Sequence, residues 1–423
     1  MPKMKSKYLH HLYNQVEYDF PLKRSLSGYE IELSLIDEQG DISNDSDKII
    51  KGCRAIDNKF HIQEEVAHNM IEITALPHSK VQRTSLFLIN NVEQAMNVCE
   101  KHHLACIPLA CYPGKFKEKM RKKKRYQYSA NAIGKDAYNH FYPRCYGFHY
   151  HYALPRGVFN QKQEFLNKHD SSKIQHTLLD SYNFLIAADP ALTTLCQSSP
   201  FEGGKYYGKD TRMLYWRGGR KLKFDGVFSK LQLLGGLQPY KHTVSDLKHT
   251  LKMKDEKAVR LFEKSGAPKS FIEKKSRLDL IWNPVKVNKH GTLEQRGLDT
   301  NLLSINLGVS VMMKFILRAI QQDFYHVIPS DLALDEPFKL EGNIIFIPPQ
   351  THVRNNLQYK SAYFGLSDKD MVDYCNRFYN LAKKLVYKEY IPALRTIKNI
   401  IDKKMTISDK IIRRDIALSF ALD

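Results

Sequence analysis

Four short segments alternate apolar and ionisable side chains: 28-GYEIELSL-35, 70-MIEITALP-77, 147-GFHYHYAL-154 and 291-GTLEQRGLD-299. A period of two marks a strand with one packed and one open face, since side chains at i and i+2 point the same way. Glu30, Glu32 and Ser34 thus share a face opposite Tyr29, Ile31, Leu33 and Leu35. Glu72 and Thr74 oppose Ile71, Ile73 and Ala75; His149 and His151 oppose Phe148, Tyr150 and Tyr152. In the last segment Thr292, Glu294 and Arg296 align.

A wet face on an antiparallel sheet accounts for any one of these strands alone. Together they carry four glutamates, two histidines and one arginine, without a lysine. Like charges on one sheet face repel unless cations hold them. Carboxylate oxygens with an occasional imidazole suit hard divalent ions such as Mg²⁺ or Mn²⁺. That chemistry requires the four strands to be neighbours. The His149–Tyr150–His151 pair also suits zinc, but no cysteine or third histidine stands at zinc spacing.

The rest of the chain bounds the setting. Its 423 residues suffice for one large or two to three ordinary domains, and 43% apolar with 26% charged residues is a globular balance. A formal charge of +20 favours anionic partners. The seven cysteines, at 53, 99, 106, 111, 145, 196 and 375, form no CxxC pair and read as core thiols in a reducing compartment. The first twenty residues lack the apolar core of a signal peptide. The longest apolar run, 307–320, is interrupted by Lys314 and is shorter than the roughly 20 residues that span a bilayer. It reads as a buried helix, and a cytoplasmic protein without a membrane partner is expected.

Helical spacing predicts a helix over 80–103, a strand over 104–112, and a long helix over 174–197 interrupted around Pro190. Basic and apolar residues alternate helically from about Asp368 to the end. No linker or repeat divides the chain, and irregular mixing of strands and helices indicates an α+β architecture. P-loop, GxGxxG, HExxH and GxSxG motifs are absent.

The ordered motifs resemble the glutamate–cysteine ligase family, in particular its bacterial carboxylate–amine ligase branch. The opening GxExEL is 28-GYEIEL-33, and a second carboxylate strand is 71-IEITALP-77. Pro113 and 125-RY-126 follow, then the GxHxH strand 147-GFHYH-151. A helix ending in a Ser-Pro turn is 189-DPALTTLCQSSPFEGG-204, and the closing motif is Trp282 with 291-GTLEQRGLD-299. The likeness runs from about Gly28 to Asp299.

The resemblance implies a glutamine synthetase-like fold: a curved, mainly antiparallel sheet with a metal-binding face, backed by helices. Residues 1–365 would be the catalytic domain and 366–423 a basic helical extension packed on it. ATP and Mg²⁺ (or Mn²⁺) are the implied cofactors, with Glu30, Glu32, Glu65, Glu72, His149 and Glu294 matching metal ligands. Arg296 and Glu294 match catalytic positions, and Arg296, Lys286 and Arg212 nucleotide contacts. Arg212, His151 and Tyr126 are the implied substrate contacts. The joined molecules would be a small carboxylate, glutamate first, and an amine, cysteine or another amino acid. The loop 37–48 and the glycine-rich 203–208 are candidate covers. Three departures stand out: 207-YGKDTRM-213 has shifted spacing around Arg212; Lys286 occupies an arginine position, losing bidentate geometry; and the basic stretch 115–125 and the tail after about Asp331 have no counterpart in the family pattern. Plainer readings exist: Glu65 as a solvated loop acid, His151 as a core histidine, Arg212 as a salt-bridge partner.

A different class of function fits the stretch 115-KFKEKMRKKKR-125, with eight basic residues against one acid. It could make the protein a non-catalytic binder of polyanions or nucleic acid on a retired ligase scaffold, with Tyr126 and Tyr128 stacking on bases. It could also recruit an acidic macromolecular partner to a working ligase site. Most charge runs are simply solvated surface.

Overall fold

The alternating segments do become neighbours. The computed structural model describes residues 25–58, 60–167, 173–274, 278 and 281–422; the first twenty residues, expected not to form a signal peptide, lie outside them. Seven strands make one antiparallel sheet: β1 (Ser27–Asp37), β2 (Ile62–Glu64), β3 (Met70–His78), β4 (Leu104–Ile107), β5 (Gly147–Ala153), β6 (Val285–Asn288) and β7 (Thr292–Asp299). Their order is β6-β7-β5-β1-β3-β2, with β4 pairing the far end of β1. The architecture is a mixed fold of helices and antiparallel sheet.

One sheet face is apolar throughout. Tyr29, Ile31, Leu33, Ile71, Ile73, Phe148, Tyr150 and Leu293 are buried in a single core. Behind it lie α2 (Val81–Glu100), α4 (Lys173–Cys196) and α7 (Leu303–Gln322). Burying such side chains contributes about 1.5–3 kcal/mol each, which leaves the polar face free to carry charge. Among the described residues α7 is the one helix long and apolar enough to cross a bilayer, and 78% of its most apolar window is buried inside the protein.

Two elements depart from expectation. α4 runs unbroken through Pro190. A proline inside a helix costs about 3 kcal/mol, but this helix is buried on all sides from Ser181 to Cys196, so packing outweighs the lost bond. Asp189, beside the proline, also accepts two hydrogen bonds from the buried Arg217, at 2.5 and 2.9 Å. The expected strand over 104–112 stops at Ile107, because Pro108 has no N–H for the ladder.

The basic stretch is tied down. Met120 bridges Ala67, and Arg121 N donates to Val66 O at 2.9 Å. Arg121 itself is buried and pairs with Asp47 at 2.6 Å and Glu64 at 3.5 Å. Asp47 stands in the first turn of α1 (Ser46–Ile56), and α3 (Lys124–Ile133) begins within the last two residues of the stretch. At the other end of the chain, α8 (Lys369–Leu385) packs on α4, with Tyr374 Oη donating to Ala187 O at 2.6 Å.

Candidate active site

Strand register decides which charges meet. Glu30 lies opposite His149 across β1 and β5, and Glu32 opposite Glu72 across β1 and β3. Glu294 of β7 lies opposite both His151 and Lys286. His149 is therefore the hub: its Nδ1 is 2.9 Å from Glu30 and 4.0 Å from Glu294, and its Nε2 is 3.7 Å from Glu32. Arg296 reaches Glu294 at 3.4 Å, and Lys286 reaches the same carboxylate at 3.8 Å. Asn288 Nδ2 donates to the same carboxylate at 2.5 Å.

The site splits electrostatically. Burial would raise the Glu294 pKa, but Arg296, Lys286 and the two histidines hold it at about 2. Burial also works against the Glu30 charge, yet His151 and His149 bring its pKa well below the carboxylate range. On the other side, burial and the neighbouring Glu30, Glu65 and Glu32 push Glu72 well above that range. Burial and Glu32 raise Glu65 to about 7. The protein's own cations thus satisfy one end of the cluster and leave the other short of positive charge.

That imbalance, with the donor types present, fits divalent metal. Glu30, His149 and Glu294 can place one ligand atom each within 4.8 Å of one another, and so can Glu32, Glu72 and His149. Oxygen-rich sets of this kind suit Mg²⁺ or Mn²⁺ rather than zinc. Both sets share the His149 imidazole, whose Nε2 is buried and makes no hydrogen bond.

The cluster forms one end of a cavity of about 420 Å³. Every residue singled out from the sequence lines it except His151, which lies just behind: Nδ1 is 3.0 Å from Thr292 Oγ1 and Nε2 3.3 Å from Glu30. His151 is therefore a buried, carboxylate-paired histidine rather than a cavity contact. Glu65 and Tyr126 face the cavity, Tyr126 under the Arg125 guanidinium at 4.5 Å from its ring centre. Arg212 comes from α5 (Thr211–Arg217), is buried, and donates to Arg296 O at 3.2 Å. Gly147 permits this: a Cβ there would stand 2.0 Å from Arg212 Nη2. Neither the loop 37–48 nor the segment 203–208 lines this cavity.

The aromatic part of the lining was not legible in sequence. Trp216 and Trp282 stack at 4.8 Å with planes 6° apart, flanked by Phe228, and Arg296 lies 5.7 Å over Trp282. These rings come from separate elements, and only Trp282 stood inside a motif. Gln63, which donates to Glu72 at 2.7 Å, was also missed; its place on a three-residue strand carries no pattern.

Comparison with known proteins agrees with this geometry. Residues 26–342 match the family model of glutamate–cysteine ligase family 2. Among solved structures, the glutamate–cysteine ligase of Francisella tularensis in complex with AMP superposes with a TM-score of 0.54 at 14% identity, covering 92% of this chain and 84% of that one. A bifunctional glutathione synthetase from Pasteurella multocida gives 0.54 at 13% identity over 92% of this chain, which spans about half, 49%, of that longer enzyme. A search of curated proteins finds no match. With three-quarters of its length matched by one model and a shared architecture, the chain belongs to glutamate–cysteine ligase family 2.

Proposed function

We propose that the protein is an ATP-dependent carboxylate–amine ligase working through an acyl phosphate. The observation that carries it is a cluster of carboxylates short of positive charge, set beside Arg296 in a cavity that stacked indoles also line. The substrate carboxylate oxygen attacks the γ-phosphorus of ATP, and the bond to the departing ADP breaks. The amine nitrogen then attacks the acyl carbon, phosphate leaves with the C–O electron pair, and the nitrogen loses a proton. Glutamate and cysteine are the first candidates, since the family and a neighbour bear those names.

Glu30, Glu32, Glu72, His149 and Glu294, with Glu65 beside them, would hold Mg²⁺. Bound there, the metal would supply charge neutralisation for the ATP phosphates. Arg296, held by Glu294, points positive charge at the transferred phosphoryl; comparable arginines are worth on the order of a thousandfold in rate. Lys286 donates to Leu278 O and Ile281 O at 3.0 Å each, which fixes it beside Glu294 as a point charge. Trp216 and Trp282 offer a flat apolar face to the purine.

The test is ADP release from Mg²⁺–ATP with glutamate and a panel of amines. Amine-dependent turnover in the native protein, abolished in Glu30→Gln and Glu294→Gln, is the expected result. ATP hydrolysis indifferent to every amine, or turnover that survives both substitutions, would sink the reading. The non-catalytic polyanion binder is less well supported, because Arg121 is spent in buried ion pairs and Tyr128 packs on Phe271 at 4.8 Å.

A further inference from the structure

A second cavity, of about 620 Å³, lies on the other side of Arg125, which lines both. Its walls are Asp47, Ile50, Lys51 and Arg54 of α1, Gln63 and Glu64 of β2, and Lys123 and Arg125. Its two acids are already neutralised. Asp47 pairs with Arg121 at 2.6 Å and with His68 at 3.0 Å. Glu64 pairs with Lys123, with Arg121 at 3.5 Å and with Arg125 at 3.9 Å. Two cations are left over: among the described residues Lys51 has no ion-pair partner, and Arg54 donates only to Ile62 O, at 3.0 Å. The exposed Lys119, Lys122 and Lys124 extend the positive field from the neighbouring basic stretch.

Polar side chains link the two cavities, since Arg125 lines both. Gln63 lines the second cavity while its side chain holds Glu72 in the first. A molecule with several anionic groups could therefore occupy both. No aromatic ring lines the second cavity, so bases would find nothing to stack on. Carboxylates, by contrast, match guanidinium and ammonium donors and are the chemistry of the first cavity.

We propose that the second cavity is an anion-binding subsite for an acidic peptide, whose reacting group enters the first cavity past Arg125. This rests on the ligase reading and narrows its substrate class from a free amino acid to a peptide carrying further carboxylates. Lys51 and Arg54 are the specificity-determining residues; they touch the substrate's tail and not its reacting atoms.

The experiment has two arms on the full chain. Fluorescence anisotropy follows a labelled short polyglutamate peptide, with an RNA oligonucleotide of equal charge as competitor. ADP release compares the same peptide with free glutamate, in the native protein, in Lys51→Glu/Arg54→Glu, and in the equally charged control Lys383→Glu/Lys384→Glu on α8. The expected result is that the α1 double variant weakens peptide binding, and raises its KM relative to free glutamate, by about tenfold or more, while the control does neither. Turnover with glutamate but no peptide binding, equal losses in both double variants, or preference for RNA would overturn the subsite. Failure of the ligase reading shows separately, as absence of turnover with any carboxylate, and the anisotropy arm still decides the subsite.

Discussion

Glu294 and Glu72, two glutamates of one cluster whose pKa values are shifted in opposite directions, should respond differently to the same substitution. Glu294 is ionised because Arg296, Lys286 and two histidines surround it, and its pKa stands at about 2 against an ordinary 4.5. Holding a buried carboxyl there favours its charged form by about 3 kcal/mol. Because the folded pKa is depressed, this stability is present above the unfolded value and disappears as pH falls toward 2. At pH 7 it is fully present. Glu294→Gln removes it and leaves the buried Lys286 and the half-buried Arg296 without their shared partner, so a loss of about 3 kcal/mol is expected in the metal-free protein. Glu72 is the reverse case. Burial and three neighbouring glutamates raise its pKa well above the ordinary value, so without metal it is held toward the neutral form. Glutamine mimics that form and can still accept from Gln63 at 2.7 Å. Glu72→Gln should therefore change metal-free stability by less than about 1 kcal/mol, yet remove much of the stabilisation that Mg²⁺ confers. Urea unfolding at pH 7, with EDTA or with Mg²⁺, measures both. Equal losses for the two variants without metal, or an undiminished Mg²⁺ effect in Glu72→Gln, would refute the account of the charge imbalance.

Three further outcomes follow from the same geometry. Arg296→Lys keeps one charge but loses the planar fork, and should lower kcat by about a hundredfold or more while leaving the fold intact by circular dichroism. In metal-free protein Glu65, with a pKa raised to about 7, gives stability that is full below about 4.5 and is lost as pH rises through 7. Mg²⁺ reverses that loss by favouring the ionised form, so the Tm gained on adding Mg²⁺ should grow between pH 5.5 and 8; a pH-independent gain would contradict it. Gly147→Ala puts a Cβ 2.0 Å from Arg212 Nη2 and should cost about 1–3 kcal/mol. In an Arg212→Ala background the same change should be nearly silent, a non-additivity that a double-mutant cycle reads directly.

Much of the site was legible because a strand repeats every two residues. Glu30 and Glu32 had to share a face whatever the sheet order, as did His149 and His151, and Glu294 and Arg296. The motifs extended this to Glu65, Lys286, Arg212 and Tyr126, all of which line the cavity. His151 shows the limit of that logic: it shares the face of His149 yet stands behind Glu30, because the ring that reaches the cavity is set by lateral position in the sheet. The candidate covers at 37–48 and 203–208 do not line the cavity, and composition could not have placed them. Polar and glycine-rich composition says that a segment turns, not what it lies over.

Local sequence determined the faces of β1, β3, β5 and β7, the core side chains behind them, and the inventory of ionisable groups in front. Only the tertiary structure decided that Glu32 meets Glu72 and Glu30 meets His149, since register depends on pairing between segments distant in the chain, 119 residues apart in the second case. It also carried α4 through Pro190, built an aromatic wall from Trp216, Phe228 and Trp282, and set Arg125 between two cavities. Propensity and periodicity act over a few residues, whereas charge, stacking and burial act between whichever atoms the fold brings within reach.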